Sequence, residues 1–205
     1  MIAVLDFDGT VCRKNSFPVW IKYCLKRAVR EGRWRLLLRL SFLIFMRKIL
    51  FIYDHKAFKK KVNEINYPGQ WATRFCSDLV PDYDANVLAK LRELPCSHIV
   101  ISTAAPECYA ACIAFSGDLP LSHIICSRVI EGVFVDNSGL SKMVQTFRYM
   151  KQAGLSGLPL AVFTDHYSDS PLAGLADELF LCNPRKIDVE HYLSEGMRFT
   201  ILGSK

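Results

Sequence analysis

Short apolar runs with little or no charge recur along the chain and predict buried β-strands. Five such runs cover residues 2–5, 98–102, 123–126, 160–164 and 178–182. Glu131 and Gly132 precede a further short apolar run at 133–135, which predicts a hairpin, and residues 198–202 predict a closing strand. Helix-like segments separate most of these runs, and strands that alternate with helices predict a mostly parallel sheet.

Residues 13–94 differ from the rest of the chain because they show little strand pattern. They predict five helices, at 17–30, 34–53, 55–65, 70–79 and 84–94. Pro68-Gly69 and Pro81 separate some of these helices. Two more helices are predicted at 107–115 and 141–153, and Gly154 suits the end of the second.

The order of these elements predicts an α/β protein in two parts. Residues 1–12 and 95–205 are expected to form a Rossmann-like core domain, a mostly parallel sheet flanked by helices. Residues 13–94 are expected to form an α-helical cap domain inserted after the first strand. With 205 residues, 51% of them hydrophobic, the chain can bury such a core. The eight cysteines include no Cys-x-x-Cys pair, so we expect reduced thiols in a cytoplasmic protein.

Positive charge is concentrated in the predicted cap. The net charge is +6, yet residues 13–61 carry 15 Lys and Arg against two acidic residues. Within this region, the apolar segment 34–53 is interrupted by four cations. A spanning helix needs about 20 mostly apolar residues, so we do not expect this segment to cross a bilayer. Two interpretations stay open: a helix on an anionic membrane surface, or a central cap helix packed all round.

Two carboxylates close the first predicted strand. Asp6 and Asp8 lie one residue apart, followed by Gly9, where the chain can turn. Ligands bind beyond the carboxyl ends of the strands in open α/β sheets, and neighbouring carboxylates repel unless a cation intervenes. A hard cation such as Mg²⁺, together with water and a phosphate, satisfies both conditions. The competing interpretation is a strand-end turn with two solvated acids.

Later segments place further polar residues at strand ends and helix starts. Ser102 and Thr103 close the second strand, where a hydroxyl can donate to a phosphate or cap the next helix. Lys142 lies at the start of a predicted helix, where the helix dipole disfavours a cation unless an anion is nearby; a solvated surface lysine is the alternative. Asp165 and Asp169 follow the fourth strand and form either a second acidic site or a polar loop.

The segment Asp6-Phe7-Asp8-Gly9-Thr10-Val11 resembles the opening motif of the haloacid dehalogenase-like hydrolase superfamily, and the later segments resemble its other motifs in order. The cap position after the first motif, and the residues Cys182 to Arg185, resemble the phosphoserine-phosphatase-like branch. The resemblance implies Mg²⁺-dependent hydrolysis of phosphate monoesters through an aspartyl-phosphate intermediate. The second Asp, which the dehalogenases and transport ATPases of the superfamily lack, favours a phosphatase, because it can protonate the leaving group.

The same resemblance assigns the motif residues to three tasks. Catalysis is expected from Asp6, Asp8, Thr10 and Lys142. Phosphate binding is expected from Ser102, Thr103, Lys142 and Gly9. Mg²⁺ binding is expected from Asp6, Asp8, Asp165 and Asp169. Within these sets, Asp6 is the expected nucleophile and Asp8 the general acid and base, oriented by Thr10. Ser102 is the better match to the phosphate-binding hydroxyl, with Thr103 as the alternative one residue away.

The stretch after the first motif bears on the substrate. Phosphoserine phosphatases place a Glu there to bind the substrate amine, whereas this chain has Arg13, Lys14 and Asn15. The resemblance therefore favours a substrate with a second anionic group, bound by these residues. A small phosphate ester and a lipid-linked one both stay open. The apolar, basic segment 34–53 also resembles the cap of bacterial phosphatidylglycerophosphate phosphatases of the superfamily.

The positive charge of the predicted cap leaves open one alternative in which the protein is not an enzyme. A catalytically silent fold of this type could bind an anionic membrane or nucleic acid through the cap. The intact motifs argue against this, and we do not expect nucleic acid as a partner. The first strand carries the candidate site, so we expect no cleaved signal peptide. The expected partners are a phosphorylated small molecule or lipid, with peripheral contact to the inner face of an anionic membrane left open.

Overall fold

The computed structural model describes residues 1–115 and 119–203, which are built around a seven-stranded sheet. The strands are β1 (Ile2–Leu5), β2 (His98–Pro106), β3 (His123–Ile130), β4 (Val133–Val135), β5 (Leu160–Thr164), β6 (Glu178–Cys182) and β7 (Thr200–Leu202). Their order is β4-β3-β2-β1-β5-β6-β7. All neighbours are parallel except β3 and β4, which form the predicted hairpin. The predicted α/β fold class is confirmed.

Helices of the described residues lie before and after the second strand. Between β1 and β2 are α1 (Ser16–Arg30), α2 (Trp34–Lys48), α3 (His55–Asn63), α4 (Gly69–Leu79) and α5 (Ala85–Glu93). Later in the chain are α6 (Glu107–Ala110), α7 (Gly139–Gln152), α8 (Ser170–Ala173) and α9 (Lys186–Ser194). Side-chain oxygens of Asn15, Asp54 and Asp84 accept backbone N–H groups at the starts of α1, α3 and α5. These caps explain where the three helices begin.

The central strands place alternate side chains in two hydrophobic cores. In β1, Ala3 and Leu5 pack in the core that extends into the helices between β1 and β2. Ile2 and Val4 pack on the other face, against residues that include Tyr192 of α9. Because both faces are covered, these strands have apolar residues at consecutive positions. All eight cysteines are free thiols, as predicted.

Two of the predicted helices differ from the structure in their bounds. The helix predicted to reach Tyr53 ends at Lys48, and Phe51 has a φ of +54°, which an α-helix of L residues does not continue. The helix predicted at 107–115 divides into α6 and a 3₁₀ turn. Gly154, with a φ of +70°, ends α7 as predicted.

The division between cap and core depends on where α5 belongs. The two connections between the sheet and α1–α4 run side by side, and Asp84 N donates to Val11 O over 2.8 Å. After them, α5 lies against the sheet, where Lys90 Nζ is 5.5 Å from the ring centre of Phe180 in β6. The predicted cap of residues 13–94 includes α5. This contact leads us to propose a cap that ends near residue 84.

Helix α2 is buried on one side only. Leu40 and Leu43 are buried, whereas Leu38 is 68% exposed and Phe42 is 56% exposed. The interpretation of this segment as a helix packed all round is therefore wrong. Within the described ranges, no helix has the length and apolar character needed to cross a bilayer, as the charges in this segment predicted.

Candidate active site

The carboxyl ends of β1 and β5 bring two acidic segments together at one edge of the sheet. Asp6 and Asp8 follow β1, and Asp165 follows the neighbouring β5. Gly9 directly follows Asp8, and its φ of +82° allows the chain to turn at this point. A Cβ atom built on Gly9 would overlap the carboxylate of Asp165. The two segments approach this closely because the residue in the turn is a glycine.

Lys142, in the first turn of α7, lies between two carboxylates. Its Nζ donates to Asp6 Oδ1 over 2.9 Å and to Asp169 Oδ2 over 2.6 Å. The hydroxyl of Thr164 also donates to Asp169 Oδ2, over 2.9 Å. Two anions thus surround a cation that the helix dipole alone would disfavour. Asp169 therefore holds the side chain of Lys142 in a position where its ammonium group contacts Asp6.

Asp8 is oriented by Ser16, a residue that the motifs did not include. Ser16 N donates to Asp8 Oδ1 over 2.8 Å, and Ser16 Oγ lies 2.8 Å from Tyr109 OH in α6. The capping residue Asn15 was the available signal, since it places the first amides of α1 beside the acidic motif. Thr10 was expected to orient Asp8. Its side chain is buried, and its hydroxyl has no hydrogen-bond partner in the described part of the chain.

Burial raises the pKa of both candidate catalytic carboxyl groups. For Asp6 it raises the pKa to about 7, against the opposing charge of Lys142. For Asp8 it raises the pKa to about 6, against the hydrogen bonds from Ser16. Burial would lower the pKa of Lys142, but the charges of Asp169 and Asp6 outweigh it, and that pKa is raised. The site therefore keeps its lysine charged and favours a further cation beside its carboxylates.

The donor set at this edge fits Mg²⁺. Mg²⁺ prefers oxygen ligands and is held by one or two carboxylates, waters and substrate phosphate oxygens rather than by an all-protein cage. Within residues 1–115 and 119–203, no three His, Cys, Asp or Glu side chains are already arranged as a metal site. The carboxylates of Asp6 and Asp165 would hold the ion, and Asp8 would contribute its main-chain carbonyl oxygen, because a carboxyl group that is to donate a proton cannot bind the metal as a carboxylate. Asp169, predicted as a further ligand, has one carboxylate oxygen engaged by Lys142 and Thr164.

Of the two neighbouring hydroxyl residues, Thr103 lines the cavity of the site, and Ser102 lies elsewhere. Ser102 Oγ is buried 2.9 Å from Thr146 Oγ1 and accepts from Asn137 Nδ2 over 3.1 Å. Thr103 lines the cavity that contains Asp6. Successive residues of a strand point to opposite faces, so only one of these two neighbours can face the cavity. The preference for Ser102 is therefore corrected in favour of Thr103.

Arg13 and Lys14 are engaged away from the cavity. Arg13 Nε donates to Asp84 over 2.9 Å, and Lys14 Nζ donates to Asp82 over 2.7 Å. Both ion pairs join the two connections between α1–α4 and the sheet. These contacts contradict the prediction that the two cations bind a second anionic group of the substrate. Asn15 does line the cavity, where it also caps α1.

A cavity of about 580 Å³ leads from the acidic residues to the cap helices. Apolar side chains of the cap form much of its wall: Phe17, Pro18, Ile21, Leu25, Ile44 and Phe58. Cations of the cap also line it: Lys22, Arg47, Lys48 and Lys59. A phosphate group at Asp6 would therefore have both positive charge and apolar surface beside it. Such a mixture suits a phosphate ester with a substantial organic part.

Lys59 of α3 is a cavity residue that the sequence analysis missed. Its Nζ donates to Ala104 O over 2.9 Å and to Asp136 Oδ1 over 2.6 Å, which links α3 to β2 and to the segment after β4. Its neighbours Phe58 and Val62 are both buried. Their spacing marks the inner face of α3, but at about 100° per residue Lys59 and Lys61 lie equally far from that face, on opposite sides of it. No local signal in the sequence therefore distinguishes Lys59 from Lys61.

Comparison with known proteins gives a family match over most of the chain. The family model described as haloacid dehalogenase-like hydrolase matches residues 3–174. This range contains Asp6, Asp8, Lys142, Asp165 and Asp169, which together form the acidic edge of the sheet. The search of the curated proteins finds no match to the chain.

Solved structures share the fold along nearly the whole chain. A protein of unknown function from Bordetella pertussis Tohama I superimposes with a TM-score of 0.77 at 16% identity, over 98% of this chain and 97% of its own. A phosphoserine phosphohydrolase-like protein from Francisella tularensis subsp. tularensis SCHU S4 gives 0.53 at 17% identity, over 95% and 99%. A phospho-aspartyl intermediate analogue of phosphoserine phosphatase gives 0.57 at 12% identity, over 100% and 94%. At these identities the likeness establishes the fold.

Proposed function

The chain belongs to the haloacid dehalogenase-like hydrolase family, and we propose that it hydrolyses phosphate monoesters through a covalent intermediate on Asp6, with Mg²⁺ as cofactor. The family match confirms the predicted enzyme class, a hydrolase of this superfamily. One observation carries the proposal: Lys142 contacts Asp6 over 2.9 Å at the acidic end of a cavity that Asp8 also lines. A nucleophile, a cation and a proton donor thus share one small volume.

The first step forms the intermediate. A carboxylate oxygen of Asp6 attacks phosphorus, and the bond between phosphorus and the alcohol oxygen breaks. The carboxyl group of Asp8 gives its proton to that leaving oxygen. Because burial raises the pKa of Asp8 to about 6, more of this group carries a proton near neutral pH than an exposed carboxyl group would.

The second step hydrolyses the intermediate. Asp8, now a carboxylate, takes a proton from a water molecule, and the water oxygen attacks phosphorus. The bond between phosphorus and the Asp6 oxygen breaks, which releases inorganic phosphate and restores both carboxyl groups. The backbone N–H of Ser16 keeps Asp8 in position for both proton transfers.

Negative charge on the phosphoryl oxygens is stabilised in both steps. Lys142 supplies a fixed positive charge beside Asp6, and Thr103 supplies a hydroxyl. Mg²⁺ held by Asp6, Asp8 and Asp165 would supply Lewis-acid neutralisation of the phosphate charge. The mixed apolar and cationic cavity supports a substrate whose phosphate is attached to a substantial organic group.

The test is phosphate release from an aryl phosphate by the wild type and Asp6→Asn, with and without Mg²⁺. The wild type should release phosphate only with the metal, and Asp6→Asn should lose at least about 10³-fold in kcat, because it lacks the nucleophile. Asp78→Asn, the same change at an exposed position of α4, is the matched control and should keep full activity.

The intermediate itself is tested with Asp8→Asn. An aryl phosphate has a leaving group that needs little protonation, so this variant should still form the intermediate and hydrolyse it slowly. Mass spectrometry of acid-quenched protein should then find a phosphoryl group on Asp6. Activity in Asp6→Asn, or a phosphoryl group on another residue, would overturn the proposed mechanism. A wild type inactive toward soluble and lipid phosphate esters would favour the catalytically silent binding protein.

A further inference from the structure

One face of α2 carries an apolar stripe that the fold leaves exposed. The stripe consists of Trp34, Leu38, Phe42, Phe45 and Ile49, the last residue directly following the helix. Spacings of three or four residues place these side chains on one side of the helix. Each residue of the stripe is between 46% and 68% exposed. Leu40 and Leu43 anchor the opposite side in the core, so the fold itself turns the stripe outward.

The turn after α2 extends the same surface. Leu50, Phe51 and Ile52 are exposed, and Phe51 is 82% exposed. Phe51 also has a φ of +54°, a conformation that a bulky L residue rarely adopts. Single exposed apolar residues are normal on a protein surface, whereas a contiguous group of this size marks an interaction site. We call the stripe and these three residues the docking face.

Positive charges border the docking face. With about 100° of rotation per helical residue, Arg35 and Arg39 lie on one flank of the stripe and Lys48 lies on the other. All three are exposed. Residues 32–53 contain five Lys and Arg and no acidic residue. An apolar strip between cations complements a surface that is apolar inside and anionic at its headgroups, which is the interface of an anionic lipid bilayer.

Helix α2 carries the stripe of the docking face and also contributes to the wall of the active-site cavity. Ile44, Arg47 and Lys48 of α2 line the same cavity as Asp6, and Lys48 also borders the docking face. A protein seated on a bilayer through α2 would therefore hold the cap side of the cavity near the lipid headgroups. A phosphate monoester at that surface could reach Asp6 past the cations, while the apolar wall accommodates the organic group next to the phosphate.

We propose that the docking face binds an anionic lipid bilayer and that the substrate is the phosphate monoester headgroup of a lipid in that bilayer. The reaction rests on the proposed function, and the membrane surface and the substrate class go beyond it. A second copy of the chain fits the docking face poorly. A symmetric face-to-face pair would bring two positively charged borders together, with no acidic residue among residues 32–53 to offset them.

Binding is tested by flotation of the full chain with two kinds of vesicle. One contains phosphatidylcholine alone, and the other contains equal parts of phosphatidylcholine and phosphatidylglycerol. The wild type should float with the anionic vesicles, and added salt should weaken this binding because the cations contribute. Asp6→Asn should float equally well. Failure of the wild type to float with anionic vesicles would overturn the proposal, whatever the outcome for catalysis.

A triple variant tests the docking face itself. Leu38→Gln, Phe42→Gln and Phe51→Gln together remove exposed apolar side chains, and Gln keeps a good helix propensity. Flotation should fall at least about tenfold, because three apolar groups no longer enter the bilayer. The matched control makes the same change at three exposed apolar residues outside α2: Leu175, Ile187 and Leu193. Equal flotation of the two triple variants would overturn the docking face.

The substrate class is tested by comparing two phosphate esters. Phosphate release from phosphatidic acid in the anionic vesicles should fall at least about tenfold in the docking-face variant, following its lost binding. Release from the soluble aryl phosphate should be unchanged, which also shows that the variant is folded. A wild type that floats and hydrolyses the aryl phosphate, yet leaves phosphatidic acid intact, would overturn the lipid substrate. A salt-resistant dimer that the triple variant dissociates, without flotation of the wild type, would assign the face to self-association.

Discussion

The acidic edge of the sheet buries charged side chains, whereas the outer face of α2 exposes apolar ones. At the edge, buried charges are matched within the chain, as Lys142 is matched by Asp6 and Asp169. On α2, apolar and cationic side chains are exposed, and Leu38 is 68% exposed. Burial of apolar surface contributes about 25 cal/mol per Å², and most of that gain is unrealised on this face. The buried lysine of the edge finds its partners within the chain, whereas the outer face of α2 can bury its apolar surface only by contact with something else.

The largest expected effect comes from removing the cation of the edge. Lys142→Met keeps the length of the side chain but leaves Asp6 and Asp169 buried without their partner. We expect kcat for an aryl phosphate to fall about 10²–10³-fold, since a fixed positive charge at the phosphoryl group is lost. The free energy of unfolding should fall by about 3 kcal/mol, because a buried ion pair is broken. Steady-state kinetics and urea unfolding measure the two effects.

The matched control for this change is Lys151→Met, at the exposed end of the same helix. It should leave kcat unchanged and shift the free energy of unfolding by no more than about 0.5 kcal/mol. A Lys142→Met variant that matched this control in activity would show that the edge does not use its cation in catalysis.

The two sides of α2 should respond differently to the same substitution. Leu40→Ala removes a fully buried side chain and should lower the free energy of unfolding by about 3 kcal/mol, because it leaves a cavity. Leu38→Ala changes a residue that is 68% exposed and should alter it by less than about 0.5 kcal/mol. Urea unfolding of both variants makes the comparison. Similar losses at the two positions would mean that the outer face is packed in solution.

Alanine substitutions at two glycines with positive φ distinguish the effect of steric crowding from that of backbone strain. Gly9→Ala would place a methyl group against the Asp165 carboxylate and should lower kcat about 10²-fold by displacing the acidic segments. Gly154→Ala, with nothing within 4 Å of its Cβ position, should cost about 1 kcal/mol of stability and leave kcat unchanged. Equal kinetics in the two variants would contradict the close approach at Gly9.

The smallest expected effect distinguishes two neighbouring hydroxyl groups. Thr103→Val should lower kcat/KM about tenfold through the loss of one hydrogen bond to the phosphate. Ser102→Ala should leave kinetics unchanged and lower the free energy of unfolding by about 1–2 kcal/mol, because Asn137 and Thr146 lose a buried partner. Kinetics and urea unfolding of both variants provide the test, and the reverse pattern would restore Ser102 as the phosphate ligand.

The sequence predicted best where local pattern and tertiary environment agree. The strands β5 and β6 begin and end at their predicted residues, since a sheet covered on both faces demands consecutive apolar residues. The acidic pair at the end of β1 and the lysine at the start of α7 were also predicted, because parallel strands bring their carboxyl ends to one edge.

Predictions that depended on side-chain direction were less accurate. Arg13 and Lys14 are charged and close to the motif in sequence, yet each is paired with an acid more than 60 residues away. Lys59 was not predicted as a cavity residue, because its partner Asp136 lies far along the chain. No local pattern states which of several lysines meets which carboxylate.

By itself, the sequence determined the α/β order of elements, the family and the set of acidic and basic residues at the edge of the sheet. These features follow from periodicity and from motifs that are local in the chain. Tertiary structure alone decided that Thr103 faces the cavity, that Ser16 orients Asp8, and that α2 exposes one apolar face. The direction of a side chain depends on the strand pleat and on packing against distant elements, and a local pattern contains neither.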